Sequence, residues 1–225
     1  MKEKFKKQIF ELRNYAHIQK VCEYAHNNSK FLIIAGETGT GKTEGLVSYS
    51  QKNKENIKYI RLRKSMTTRD FFTEITNVYD YRGYTGNSFY RFMNWIRDYI
   101  QESNEKHLLI VDEGGMFDNE QLGLIHELRD LTENNLGIIL AGPKYFVEKL
   151  KNWNSTQKNG IPEFYRRVNR IIPLKDLTKE EIIGVCNAYG VKSKDINNQF
   201  SDIKNIGDLT NSIENYFFLK DNLAI

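Results

Sequence analysis

Phe31-Leu32-Ile33-Ile34-Ala35-Gly36-Glu37-Thr38-Gly39-Thr40-Gly41-Lys42-Thr43 joins a short apolar run to a glycine-rich turn. The run has the length and composition of a buried strand. Residues 36–43 satisfy the pattern G-x-x-x-x-G-K-[ST] at every fixed position. Physical chemistry accounts for each of those positions. Glycines let backbone N–H groups close around a pyrophosphate, the lysine reaches the outer phosphates, and the threonine hydroxyl can ligate Mg²⁺. A helix opening at the same point directs its positive end at that anion. A chance match in a chain of this length is an event on the order of 1%, and the strand before and helix after make it rarer still. The stretch therefore reads as a phosphate loop. Gly36, Glu37, Thr38, Gly39, Thr40, Gly41, Lys42, Thr43 and Glu44 are the candidate nucleotide-binding residues.

A second apolar run, His107-Leu108-Leu109-Ile110-Val111, ends in the carboxylates Asp112 and Glu113. In phosphate-loop enzymes an acidic residue at a strand's carboxyl end supports Mg²⁺. Thr43 and Asp112 are thus the candidate metal residues, Asp112 acting through water. Glu113 is placed to orient and deprotonate an attacking water. Alone, the pair would equally describe a solvated acidic turn, but behind a complete phosphate loop the metal-and-base reading prevails.

Outward from these motifs the chain alternates strand and helix. A helix is expected over residues 44–51, a strand over 57–63 and helices over 67–78 and 88–103. Asp118-Asn119-Glu120-Gln121 has the spacing of a capping box, opening a helix through Leu122, Ile125, Leu128 and Thr132. A strand over 137–141 ends in Gly142-Pro143, followed by a short helix over 144–150, a polar loop over 152–160 and a short strand at Ile171-Ile172. This rhythm argues for a parallel sheet covered on both faces, with ligands at the strands' carboxyl ends. Upstream, Phe5, Ile9, Leu12, Ala16, Val21 and Ala25 recur at helical spacing, predicting one or two helices over residues 4–27. They read as a docking helix on the sheet or, given Lys2, Lys4, Lys6 and Lys7, as a DNA-binding arm. The connection over residues 79–86, rich in tyrosine and glycine, reads as a loop packed by its own tyrosines or as a stacking surface for bases. Beyond Leu174 no strand signal remains. Thr178-Lys179-Glu180-Glu181 is another capping box, leading a helix to Tyr189, and residues 206–219 form a second helix. The expected organisation is an α/β domain over residues 1–174 and a small helical lid over 175–225, jointed at 174–177.

The bulk properties exclude little else. The 225 residues suffice for a substantial core. A formal charge of +4 permits a polyanionic partner without demanding one. Cys22 and Cys186 lack any metal-ligand spacing and read as buried free thiols, and the four histidines form no cluster. No apolar run approaches a membrane span, and the basic start MKEKFKKQ leads into an amphipathic pattern instead of a signal-peptide core. A cytoplasmic protein with no membrane association is expected.

With these motifs in order, the chain resembles an AAA+ ATPase, and more narrowly the ATPase subunits of DNA transposition systems, the phage Mu B and TnsC kind. The likeness runs over residues 31–216. It takes in the phosphate loop, the LLIVDE strand, Leu128-Arg129-Asp130-Leu131, the strand and turn over 136–143, and Phe164-Tyr165-Arg166-Arg167-Val168. The resemblance implies a P-loop fold with a five-stranded parallel sheet flanked by helices and a C-terminal helical lid. It also implies ATP and Mg²⁺ as cofactors, ATP hydrolysis, assembly as a ring or helical filament on double-stranded DNA with nucleotide between protomers, and a transposase or other recombination protein as partner. Arg167 best matches that family's arginine finger, with Arg166 and Arg170 as alternates; from the residues alone, the same arginines also read as a solvated face or phosphate contacts. Two departures stand out. Pro143 occupies the position of a polar sensor residue, and no arginine falls near Gly207-Asp208-Leu209-Thr210, where a second sensor would lie. Both bear on hydrolysis and leave nucleotide binding untouched.

Overall fold

The structure, a computed structural model, describes residues 8–52, 54–81 and 88–223. Lys2, Lys4, Lys6, Lys7 and residues 82–86 of the tyrosine-glycine connection lie outside the described residues. Five strands, β1 (Phe31–Ala35), β2 (Ile57–Arg61), β3 (His107–Asp112), β4 (Leu136–Gly142) and β5 (Arg170–Pro173), form one sheet in the order β2-β3-β4-β1-β5. Every neighbouring pair is parallel, as the strand-helix alternation predicts.

Both faces are covered, which is why β1, β3 and β4 read as unbroken apolar runs. Leu32, Ile34, Leu108, Ile110, Ile139 and Ala141 pack beneath α1 (Arg13–Asn27) and α2 (Lys42–Ser50). Phe31, Ile33, Leu109, Val111, Ile138 and Leu140 face the opposite layer. That layer holds α3 (Thr68–Val78), α4 (Phe89–Glu102), α5 (Asn119–Leu131), α6 (Lys144–Ser155) and α7 (Ile161–Arg167). The two-residue period of a strand sorts these side chains between the layers, and the same period puts Tyr59, Arg61 and Asp112 on the α1-α2 side. At Gly137 the approach is closest: a Cβ there would overlap the Ala25 carbonyl at the end of α1.

Capping boxes open α3 at Thr67 and Asp70, α5 at Asp118 and Gln121, and α8 (Lys179–Ala188) at Thr178 and Glu181. With α9 (Ser193–Gln199) and α10 (Ile206–Leu223), α8 forms a separate small core around Ile182, Val185, Phe200, Leu209 and Ile213.

Several boundaries differ from the sequence reading. Residues 8–12 are not helical: Phe10 and Leu12 pack on the C-terminal core instead of the sheet, Ile9 is exposed and α1 begins at Arg13. The segment read as a polar loop from residue 152 is helical through Ser155, because Trp153 still reaches the core while its neighbours face water. Helix α9 has no counterpart in the sequence reading, having only Ile196 buried among polar residues. Tyr79 and Tyr81 turn inward, toward Tyr99 and toward Phe92 and Trp95. Among the described residues no helix is long and apolar enough to cross a membrane.

Candidate nucleotide site

The phosphate loop leaves the carboxyl end of β1 and enters α2 at Lys42. Gly39 and Gly41 both sit at φ 85°, the left-handed region that only glycine enters freely. Gly41 is the N-cap of α2 and carries no side-chain cap, so the helix's first N–H groups face the loop's concavity. Glu44 stands in the first turn of that helix. The Thr40 hydroxyl donates to the Glu37 carbonyl at 2.7 Å, closing the loop on itself.

Lys42 Nζ lies across the mouth, donating to the carbonyls of Gly36 at 2.8 Å and Glu37 at 2.9 Å. Burial lowers its pKa from the usual lysine value, against the opposing pull of Asp112, Glu113 and Glu37. The Thr43 hydroxyl donates to Asp112 Oδ2 at 2.6 Å. The Asp112 carboxylate is buried and also accepts from the Tyr59 hydroxyl at 3.1 Å and from the Glu113 backbone N–H at 2.8 Å. Burial raises the Tyr59 pKa, reinforced by Asp112, so the phenol stays a donor. Glu113 has a left-handed backbone, φ 61° and ψ 38°, and its carboxylate pairs with the Arg61 guanidinium at 2.9 Å.

Lys42, Thr43, Arg61 and Glu113 line a cleft of about 660 Å³, with buried Asp112 bonded behind Thr43. Its floor is Thr38 to Glu44, one lip carries Arg61, Glu113, Met116 and Pro143, and the rest of its wall is formed by residues 8–10, Leu12, Leu177, Ile206 and Thr210. Helix α10 touches the loop directly, Gly207 N donating to the Gly39 carbonyl at 2.9 Å. Thr210 spends its hydroxyl on the Ile206 and Gly207 carbonyls. Among the described residues the C-terminal helices bring no arginine or lysine to the cleft lining. Beyond the lip, Lys149 Nζ donates to the Phe117 carbonyl at 2.6 Å and lies 4.6 Å from the centre of the Trp153 ring, bracing the turn after Glu113.

The residues present fit a Mg-nucleotide. The loop offers glycine-only conformations around an N–H-lined hollow, and Thr43 with Asp112 gives the all-oxygen donor set that a hard cation prefers. The fold thus joins Lys42, Thr43, Asp112 and Glu113 from two sequence motifs into one place. It does not bring Arg167 there. Arg167 ends α7 just before β5, whose first residue pairs with Leu32 near the amino end of β1, so it lies toward the opposite end of the sheet from the loop. It makes a two-pronged pair with Asp130, one arm at 2.9 Å. Arg166 and Arg170 are exposed. Arg61 and Tyr59 are the residues sequence reasoning missed. Their signal is the alternation of β2, meaningful only once β2 is known to lie beside β3 with Arg61 opposite Asp112.

A five-stranded parallel sheet with a phosphate loop after its first strand and an acidic pair after its third defines a phosphate-loop nucleotide-binding protein. The chain belongs to the AAA domain family, which matches residues 25–150. No curated protein matches the sequence. Among solved structures it is similar to Drosophila ORC bound to DNA, at 13% identity and TM-score 0.59, covering 95% of this chain and 56% of that one. It is also similar to the replication initiator DnaA bound to AMPPCP and single-stranded DNA, at 14% identity and TM-score 0.58, covering 98% and 66%. A DNA replication initiation factor follows at 17% identity and TM-score 0.54, covering 95% and 62%. At these identities the likeness is one of fold, and the chain spans less than two thirds of each of these relatives.

Proposed function

We propose that this chain is a cytoplasmic AAA+ ATPase that binds and hydrolyses ATP with Mg²⁺, assembles on double-stranded DNA as a ring or filament, and acts in DNA transposition with a transposase or other recombination protein. The observation that carries the ATPase reading is the convergence of Lys42, Thr43 and Glu113 on one cleft, with Asp112 bonded to Thr43 behind it. In this reading residues 1–174 form the ATPase unit and 175–225 the lid.

The loop N–H groups and Lys42 hold the phosphates, and Thr43 with Asp112 would hold Mg²⁺, which when bound neutralises phosphate charge. Glu113 accepts the proton of the attacking water once its carboxylate leaves Arg61. Arg167, set away from its own cleft, serves a neighbour's nucleotide, so a complete site requires assembly. The order of the motifs supports the transposition assignment, and the likeness to DNA-bound ORC and DnaA supports DNA as the platform.

Measuring ATP turnover with and without duplex DNA, together with electron microscopy of the protein with ATP and duplex DNA, tests this. Turnover stimulated by DNA and an ordered ring or filament are expected; an inert, monomeric protein in both assays overturns it. A second reading, a nucleotide-gated scaffold, is favoured by Pro143 at the lip and the lack of a basic group from the described C-terminal helices in the cleft lining. It predicts slow turnover indifferent to DNA alongside ATP-dependent partner binding. A third, a replication-type loader, follows the fold likeness and predicts capture of a helicase instead of a transposase.

A further inference from the structure

We propose that Arg13 and Glu181 form a latch that fixes the C-terminal helices over the nucleotide cleft, making Arg13 a positioning residue for nucleotide binding. The proposal rests on the nucleotide-site reading above.

Helix α1 is locked to the ATPase core. Gln19 Nε2 donates to the Gly45 carbonyl at 2.7 Å, and the hydroxyls of Tyr15 and Ser48 meet at 2.6 Å. Gly45 itself lies so close to Ile18 that a Cβ would stand 3.0 Å from its side chain. Any shift of α2, which carries Lys42 and Thr43, therefore moves α1.

The other end of α1 is anchored in the lid. Helices need acceptors for their first N–H groups, yet the N-cap Leu12 supplies none and the first turn of α1 has no acidic residue. The acceptor comes from α8: Arg13 N donates to Glu181 Oε1 at 2.8 Å. The Glu181 Oε2 atom accepts from Thr178 N at 2.9 Å, closing the cap of α8, and from Arg13 Nη2 at 3.1 Å. One carboxylate thus caps two helices, one on each side of the joint. The same arginine donates to the Asp176 carbonyl at 3.0 Å, and Asn14 exchanges hydrogen bonds with the Lys175 backbone at 2.7 and 3.2 Å. Both of these further links fall on the connection between β5 and α8.

Glu181 is shielded, its side chain 12% exposed, while Arg13 is 52% exposed, so the latch rests on its several hydrogen bonds more than on the charge pair alone. It lines the same cleft from α8, outside the phosphate loop itself. Besides the packing of Phe10 and Leu12 on its core, the lid is fastened by Gly207 to the phosphate loop and by Glu181 to α1. The first touches the loop itself; the second sets how closely the lid covers whatever extends beyond the phosphates.

The test compares ATP with inorganic tripolyphosphate, which shares the phosphates but lacks the nucleoside. Arg13→Ala is expected to weaken ATP binding about 10-fold while changing tripolyphosphate binding less than about 2-fold. Arg13→Lys should restore part of the loss. Glu181→Gln keeps an oxygen for Thr178 N and removes the charge, and combining it with Arg13→Ala should add nothing further. Equal losses for both ligands, unchanged ATP affinity, or additive effects overturn the latch. If the wild-type protein binds neither ligand, the nucleotide reading itself fails. Hydrogen exchange over residues 174–189 then judges the latch alone: faster exchange in Arg13→Ala supports it and unchanged exchange overturns it.

Discussion

Glu113 adopts a left-handed backbone at φ 61°, which costs a non-glycine residue on the order of 1 kcal/mol. The turn it makes aims the carboxylate at Arg61. Glu113→Gln is expected to retain ATP affinity and lose turnover by on the order of 100-fold, read from steady-state phosphate release. Arg61→Ala frees the carboxylate and is expected to raise basal turnover by roughly 3-fold or more at unchanged affinity. A drop instead would assign Arg61 to the phosphates. Gly39 has a different constraint: a side chain there is strained by φ 85° and would overlap Asn205 Oδ1. Gly39→Ala should therefore destabilise by about 1–3 kcal/mol, seen in thermal unfolding, and loosen α10 from the loop. Lys42, Thr43, Asp112 and Glu113 were legible because each lies inside a contiguous motif. Arg61 was not, since its role depends on which strand lies next to β3, and local spacing carries no information about that.

At the level of elements, the tightest joint is α1 against β4. Gly137→Ala would drive a methyl into the Ala25 carbonyl, and overpacking of this kind costs about 1–3 kcal/mol; the midpoint of urea unfolding is expected to fall accordingly. Strands β1, β3 and β4 could be read from sequence because burial on both faces makes them apolar runs, and β2 from its alternation. Helix ends were harder. Phe10 and Leu12 continue the apolar spacing of α1, but the core they satisfy belongs to α8 and α10, a contact between segments far apart in the chain. Helix α6 outlasts its expected end because one residue, Trp153, still packs while Asn152 and Ser155 do not. Helix α9 buries too few residues to show a period at all.

The whole molecule is expected to respond to pH through His107 at the start of β3. Burial lowers its pKa to about 4, with smaller contributions from His26 and Lys58 and an opposing one from Glu105. The unfolded chain then binds more protons between about pH 6.5 and 4, so stability is full above that window and declines as pH falls through it. The loss is on the order of 3 kcal/mol, and His107→Leu should flatten the slope in denaturant titrations. Assembly is tested at Arg167. Its pair with Asp130 lies at the surface, where such bridges contribute less than about 1 kcal/mol, so Arg167→Ala should leave thermal stability nearly unchanged. If, as proposed, a neighbour's Arg167 completes the site, DNA-stimulated turnover should be lost.

The brace between Lys149, the Phe117 carbonyl and Trp153 also has an optical consequence. The chain has two tryptophans, Trp95 and Trp153, and only Trp153 shares a cation with the turn that follows Glu113. A displacement of that turn withdraws an ammonium group from one indole ring and leaves the other in its aromatic cluster with Tyr81 and Tyr99. With Trp95 replaced by Phe, the intrinsic fluorescence of the protein becomes a label-free signal from the Glu113 side of the cleft.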